Sequence, residues 1–280
     1  PSSRGLGDVY KRQVLRPASF TGILGFKPTF GTISRSGMSP ISQRLDHPGI
    51  YANCVEDIDL VASVILSYDS EDLDMIQNYQ YKKDLNLNKS LKFGFVRGPV
   101  WNFGDEDMKN GIEEFVKNSQ LDIEELDLGK DFDDAAKAHE IIMNGSIANS
   151  LMNYYQTDKS NLHPFTVKRI EAGIPVSASD YVSAIEKAKK MEQILKQFLK
   201  KYDAIITPAA PGQAPRDLMN TGNAIFNGYW TMMGVPAISL PFLKGKDDLP
   251  IGIQFIANWS EDLKLLEICK YILEKEKLAN

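Results

Sequence analysis

The sequence predicts an α/β fold in which helices cover a β-sheet. Three observations predict it. Strand-like and helix-like pieces alternate along most of the chain. One segment repeats apolar residues at helical spacing: Tyr181, Ile185, Ala188, Met191, Leu195 and Phe198 follow three- and four-residue steps. Three short apolar runs, at 203–207, 237–242 and 251–257, have the length of strands.

Taken in order, residues 14–57 form a Gly-, Pro-, Ser- and Thr-rich string around short apolar pieces. Gly22, Gly25 and Gly31 permit unusual backbone angles or close approach. Pro17 and Pro28 fix φ and remove donors. Such backbone builds either a tight strand-turn-strand wall or the floor of a site. Residues 56–66 predict a helix with acids in its first turn. The stretch 68–90 is polar and reads as a surface connector. KFGFV at 92–96 has strand character, 105–118 reads as a helix, 122–126 as a strand, and 132–154 as a long helix.

The helix that begins near Ser179 is preceded by Ser177 and Asp180 at capping-box spacing, with Asp in place of the usual Glu. The run 203–207 is a buried strand stopped by Pro208. The next two strands flank KGKDDLP, a polar loop suited to a hairpin. Ser260 can cap a final helix that starts at Glu261-Asp262 and carries Leu263, Leu266, Cys269 or Lys270, and Ile272–Leu273 at helical spacing.

Composition bounds the function. The chain has 280 residues, 43% hydrophobic and 25% charged, which is ordinary for a globular protein with ample core. The net charge of −5 argues against nucleic acid as a main partner. No apolar run reaches the ~20 residues that cross a bilayer, so no membrane partner is expected. Two cysteines, Cys54 and Cys269, lack metal-ligand spacing. They read as buried small hydrophobes in a reducing, cytoplasmic setting.

The residues alone do not spell out a complete active site. His47 and His163 each precede a proline, and His139 lies in a helical pattern. None belongs to HExxH or to a zinc-ligating pair, so no metal site is expected. The sequence has neither a GxSxG elbow nor a GxxxxGK[ST] loop. Cys54 with His47 is a weak nucleophile–base pairing, and a Ser-His-Asp triad would have to be assembled from distant parts of the chain.

Two stretches carry a resemblance. RPASFTGILGFKPTFGTISRSGMSP followed by LDHPGIYANCVEDIDL resembles the amidase signature family, whose pattern runs through GGS, PA, GxxGxKPTxG and LDxxGP. DAIITPAAPGQAP, FNGYWTMMGVPAISLP and LPIGIQFIA resemble that family's C-terminal end. The resemblance implies a single domain built on a mixed β-sheet with helices on both sides, with residues 14–280 as its C-terminal part and the N-terminal part truncated. It implies hydrolysis or transfer of carboxamides by a nucleophilic Ser, a bridging Ser on a cis peptide and a Lys, with no cofactor. An unactivated hydroxyl needs such a base to attack an amide.

Placed on this chain, the nucleophile's position is occupied by Gln13, and the bridging Ser and the Lys belong upstream. No catalytic residue of the triad is therefore expected here. Lys27 matches the Lys of KPT, which is not the base, and Lys11 lies in a suspect leader. Residues 1–13 read as an artefactual leader resembling a translated sequencing adapter. Asp46 matches a turn acid and Asp57 a helix-start acid.

The substrate-binding candidates are Thr221, Phe226 and Trp230; the last two are spaced i,i+4 and so share a helix face. The same two aromatics also suit a core role. The implied partner is a small-molecule amide, and a homodimer is compatible with the reading. The alternatives are a glutaminase-type subunit of a glutamine-dependent amidotransferase and a non-catalytic binding or scaffold protein. Truncation further predicts an unpaired sheet edge and exposed apolar surface.

Overall fold

The fold is described from a computed structural model, over residues 14–81, 87, 90–217 and 220–279. Seven strands form one mixed sheet: β1 (Leu24–Lys27), β2 (Ile50–Ala52), β3 (Lys92–Phe95), β4 (Asp122–Glu125), β5 (Ala204–Pro208), β6 (Ala237–Lys244) and β7 (Pro250–Ile256). Their order is β2-β1-β6-β7-β5-β3-β4. β3 runs parallel to β4 and β5, and the other pairs are antiparallel. The KGKDDLP segment closes the β6–β7 hairpin, as its composition predicts.

The helices are α1 (Leu15–Thr21), α2 (Val55–Ile65), α3 (Glu106–Asn118), α4 (Ala135–Thr157), α5 (Pro164–Gly173), α6 (Ala178–Phe198), α7 (Ile225–Met232) and α8 (Asp262–Ala279). They lie on both faces of the sheet. Strand register places Gly25, Ser239, Gln254 and Thr207 side by side across β1, β6, β7 and β5. α1 and α7 bond to this face, through Ser19 to the Gly252 N–H and from Gln254 to the Phe226 carbonyl. The next row, Phe26, Ile238, Phe255 and Ile206, faces the other way. There Phe242 meets Phe255 edge-on and stacks on Phe115 of α3. α8 packs against β6, β7 and α2, while α4 gathers α5, α6 and α7.

Local chemistry accounts for several boundaries. Ser177 caps α6, with its Oγ accepting from the Asp180 N–H at 3.0 Å and donating to the Asp180 carboxylate at 2.7 Å. Asp105 caps α3 by accepting from the Met108 N–H. Asp46 accepts from the N–H groups of Ile41 and Ser42, both at 2.8 Å, as a turn acid does. Asp57 sits in the first turn of α2.

Three expectations change. The 14–57 region is not a strand-turn-strand wall from its start, because α1 precedes β1. Pro17 is the third residue of that helix, where its missing N–H has no helical partner to lose. Ser260 is not a conventional cap: it takes a left-handed φ of 62°, and its N–H donates to Thr29 Oγ1. Cys269 is buried in the core, but Cys54, ahead of α2, is only half-buried. Among the described residues no helix is long and apolar enough to cross a membrane.

Candidate functional site

α1 is the first element after position 13, and the sheet holds it at close range. A methyl group on Gly25 would lie 2.5 Å from Ala18 Cβ, and one on Gly252 would lie 2.9 Å from Ser19 Cβ. Only glycine at these strand positions lets the helix sit so near. Ser19 Oγ then accepts from the Gly252 N–H at 2.7 Å. Gln13 and the leader lie outside the described residues.

The loop after β5 returns to α1. Arg16 Nη1 donates to the Gly222 carbonyl at 3.1 Å. Gly222 has φ +76° and packs on the Phe20 ring, where a side chain would collide. Thr221, exposed, is therefore carried beside α1. Phe226 and Trp230 follow a different course. Both are fully buried on α7 within the main core, and Trp230 packs on Tyr229 with ring centroids 4.7 Å apart. The structure brings Thr221 to α1 and places the two aromatics behind it, in the interior.

Beneath α1 and α7 lies a polar row that reading the sequence for motifs does not single out. Gln254 Nε2 donates to the carbonyls of Pro208, at 2.7 Å, and Phe226, at 2.9 Å. Asn227 Nδ2 donates to the Ala209 carbonyl at 3.0 Å. Ser239 Oγ and Asn227 Oδ1 are buried with no hydrogen-bond partner among the described residues, and Tyr229 Oη lies buried with Trp230 and Thr207. Burial pushes the Tyr229 phenol up, so it stays protonated and can donate. A signal is present in the sequence: Gln254, Ser239 and Thr207 each interrupt an apolar strand. Their alignment depends on register, which the sequence does not print.

Lys27 belongs to a separate buried hub. Its Nζ donates to the carbonyls of Val235 and Pro28. Burial lowers its pKa to about 7, against the pull of Asp262. Asp262 accepts from Thr29 N–H and Oγ1, both at 2.7 Å, and from Tyr79 Oη at 2.9 Å. Burial raises the Asp262 pKa while these bonds oppose the rise. The hub ties β1, the connector after α2 and the start of α8 together.

His47 is buried against Phe30, and burial together with the Lys27 charge holds it well below the usual imidazole range. His163 caps α5. Among the described residues, no group of three or more His, Cys, Asp or Glu is placed to hold a metal ion.

A family model described as Amidase matches residues 14–266. The chain belongs to the amidase family. Among its curated relatives, a glutamyl-tRNA(Gln) amidotransferase subunit of Agathobacter rectalis is 28% identical over 310 residues, covering 97% of this chain and 61% of that protein. The corresponding protein of Clostridium botulinum is 30% identical over 288 residues, covering 89% and 59%. The chain thus spans about three fifths of the length of these relatives.

Solved structures share the fold at lower identity. An amidase superposes with a TM-score of 0.77 at 20% identity, over 91% of this chain and 58% of the other. A 6-aminohexanoate cyclic dimer hydrolase complexed with substrate superposes with a TM-score of 0.74 at 20% identity, over 90% and 60%. In this amidase-family chain, the KPT lysine is a buried brace of the sheet.

Proposed function

We propose that this polypeptide is the C-terminal part of an amidase that hydrolyses carboxamide C–N bonds with a serine nucleophile. The observation that carries the reading is the seating of α1. The element directly after the nucleophile's position is locked to β1 and β7 by glycine contacts, packs on β6, and is tied through Arg16 to the loop bearing Thr221. A nucleophile held at the head of such a helix keeps one position relative to its substrate, which is what attack on an amide requires. Thr221 serves as a substrate contact. Phe226 and Trp230 act by shaping the floor on which Thr221 and α1 rest. The substrate is a small amide, and the chemistry draws on no cofactor.

The bridging Ser and the Lys are supplied from upstream of Val14, and Gln13 cannot form an alkoxide. The 280-residue chain is therefore silent, and the protein in which native sequence, with Ser at position 13, replaces residues 1–13 is active. Assay of a simple aryl amide with both forms tests this. Turnover by the 280-residue chain would sink the claim.

A second reading is favoured by the curated relatives, both of them components of an amidotransferase. In it the extended protein releases ammonia from glutamine for a partner protein. Glutaminase activity together with stable co-purification of a second protein supports this reading. Hydrolysis of aryl amides by a lone protein supports the first.

A further inference from the structure

The chain leaves β5 at Pro208 and enters α7 at Ile225. The connection between them, 209–224, carries Thr221 and is far longer than the ~4–6 residues that usually join two elements. A long connection keeps one position only where a rigid scaffold fixes its ends. Here two buried side-chain amides do so.

Gln254 stands on β7, outside the loop. Its Nε2 donates to the Pro208 carbonyl, where the loop departs, at 2.7 Å, and to the Phe226 carbonyl, where it returns, at 2.9 Å. Asn227 spans the same gap from the returning side. Its Nδ2 donates to the Ala209 carbonyl at 3.0 Å and lies 3.4 Å from Gln254 Oε1. Both residues are fully buried, so a carbonyl that lost its donor there would find no water in its place.

The order of this clasp reaches Thr221 through a short run of bonds. The Ile225 N–H donates to Asn223 Oδ1 at 3.0 Å, and the Gly222 N–H donates to Asn220 Oδ1 at 2.9 Å. The Gly222 carbonyl accepts from Arg16 of α1. Thr221 is exposed, between two residues that are bonded to each other. On the departing side, the Pro211 carbonyl accepts from the Asp105 N–H at 2.8 Å, and Gln213 Oε1 accepts from the Asp247 N–H in the β6–β7 turn.

We propose that Gln254 and Asn227 are positioning residues for substrate recognition. By clasping the two ends of the loop they fix where Thr221 meets the amide substrate. They act through Thr221 and not on the substrate itself. The inference rests on the reading of Thr221 as a substrate contact of an amidase.

Kinetics of the full-length protein, with native sequence upstream of Val14 and Ser at position 13, test it. Thr221→Val removes the hydroxyl, and Gln254→Met removes both donors at similar volume. Each raises KM for an aryl amide about fivefold and leaves kcat within about twofold. The double variant keeps the KM of Thr221→Val alone, because two residues that act through one contact are not additive. KM effects that multiply in the double variant overturn the proposal. So does a fall in kcat at constant KM, which is what loss of folded protein alone produces. Ser177→Ala weakens α6, far from the loop in sequence, and leaves KM unchanged; a KM that rises there too overturns the proposal.

Hydrogen–deuterium exchange supplies a readout independent of activity. Asn227→Leu is the milder variant, because Gln254 keeps both of its bonds. In it, peptides covering 209–213 and 225–228 exchange about tenfold faster, while those covering 178–198 are unchanged. Unchanged exchange at both ends of the loop overturns the proposal. A full-length protein that hydrolyses no amide yet shows this change loses the amidase reading and keeps the clasp.

Discussion

Gln254 makes its two donor bonds to carbonyls on different elements, Pro208 at the end of β5 and Phe226 on α7. Both acceptors lie in the buried interior, so no water replaces a lost donor there. Gln254→Leu keeps the size and removes the amide. It is expected to cost about 2–3 kcal/mol, seen as a lower thermal midpoint. Lys27 supplies a prediction in pH. Its folded pKa of about 7 lies below the ordinary lysine value of 10.5. The unfolded chain therefore binds more protons between those values, and this group raises stability as pH climbs from about 7 to 10.5. Below 7 the full cost of burying the ammonium is present. In Lys27→Met that rise, at most on the order of 4 kcal/mol, is absent, so the stability gap between parent and variant changes by that amount over the same range. Parallel stability curves for the two proteins over about pH 7–10 would contradict the buried-amine reading.

Elements differ in how far their sequence announces them. α6 is legible because a half-exposed helix must alternate apolar and polar faces at helical period, and because Ser177 and Asp180 mark its start. Ser177→Ala should cost about 1 kcal/mol, measured by denaturant midpoint. α1 is hidden by Pro17, which reads as a breaker until it is placed in the first turn. α5 escapes notice although Pro164 and His163 open it as a first-turn proline and a cap. α7 lacks a polar face to alternate against, since Phe226 to Met232 are all buried. Composition marks the sheet's strands, but the polar row Ser239–Gln254–Thr207 emerges only from register. The seat of α1 carries its own test. Gly25→Val places carbon where Ala18 already sits, and overpacking of this sort costs about 1–3 kcal/mol. In the extended protein the same change should lower amide turnover by more than the loss of folded protein explains, because it shifts α1.

At the scale of the molecule, the sheet is braced at one side by the Lys27–Asp262 hub and covered on its central strands by α1 and α7. These features build a floor and wall, and in the proposed reading the reacting groups belong to the polypeptide upstream of Val14. The central claim is that residues 14–280 position a nucleophile they do not contain. The most direct measurement is hydrolysis of an aryl amide by the protein in which native upstream sequence replaces residues 1–13 and puts Ser at position 13, by its variant with Ala at position 13, and by the 280-residue chain. Turnover in the first alone is the expected result. Turnover by the 280-residue chain, or turnover that survives Ala at position 13, would contradict the claim.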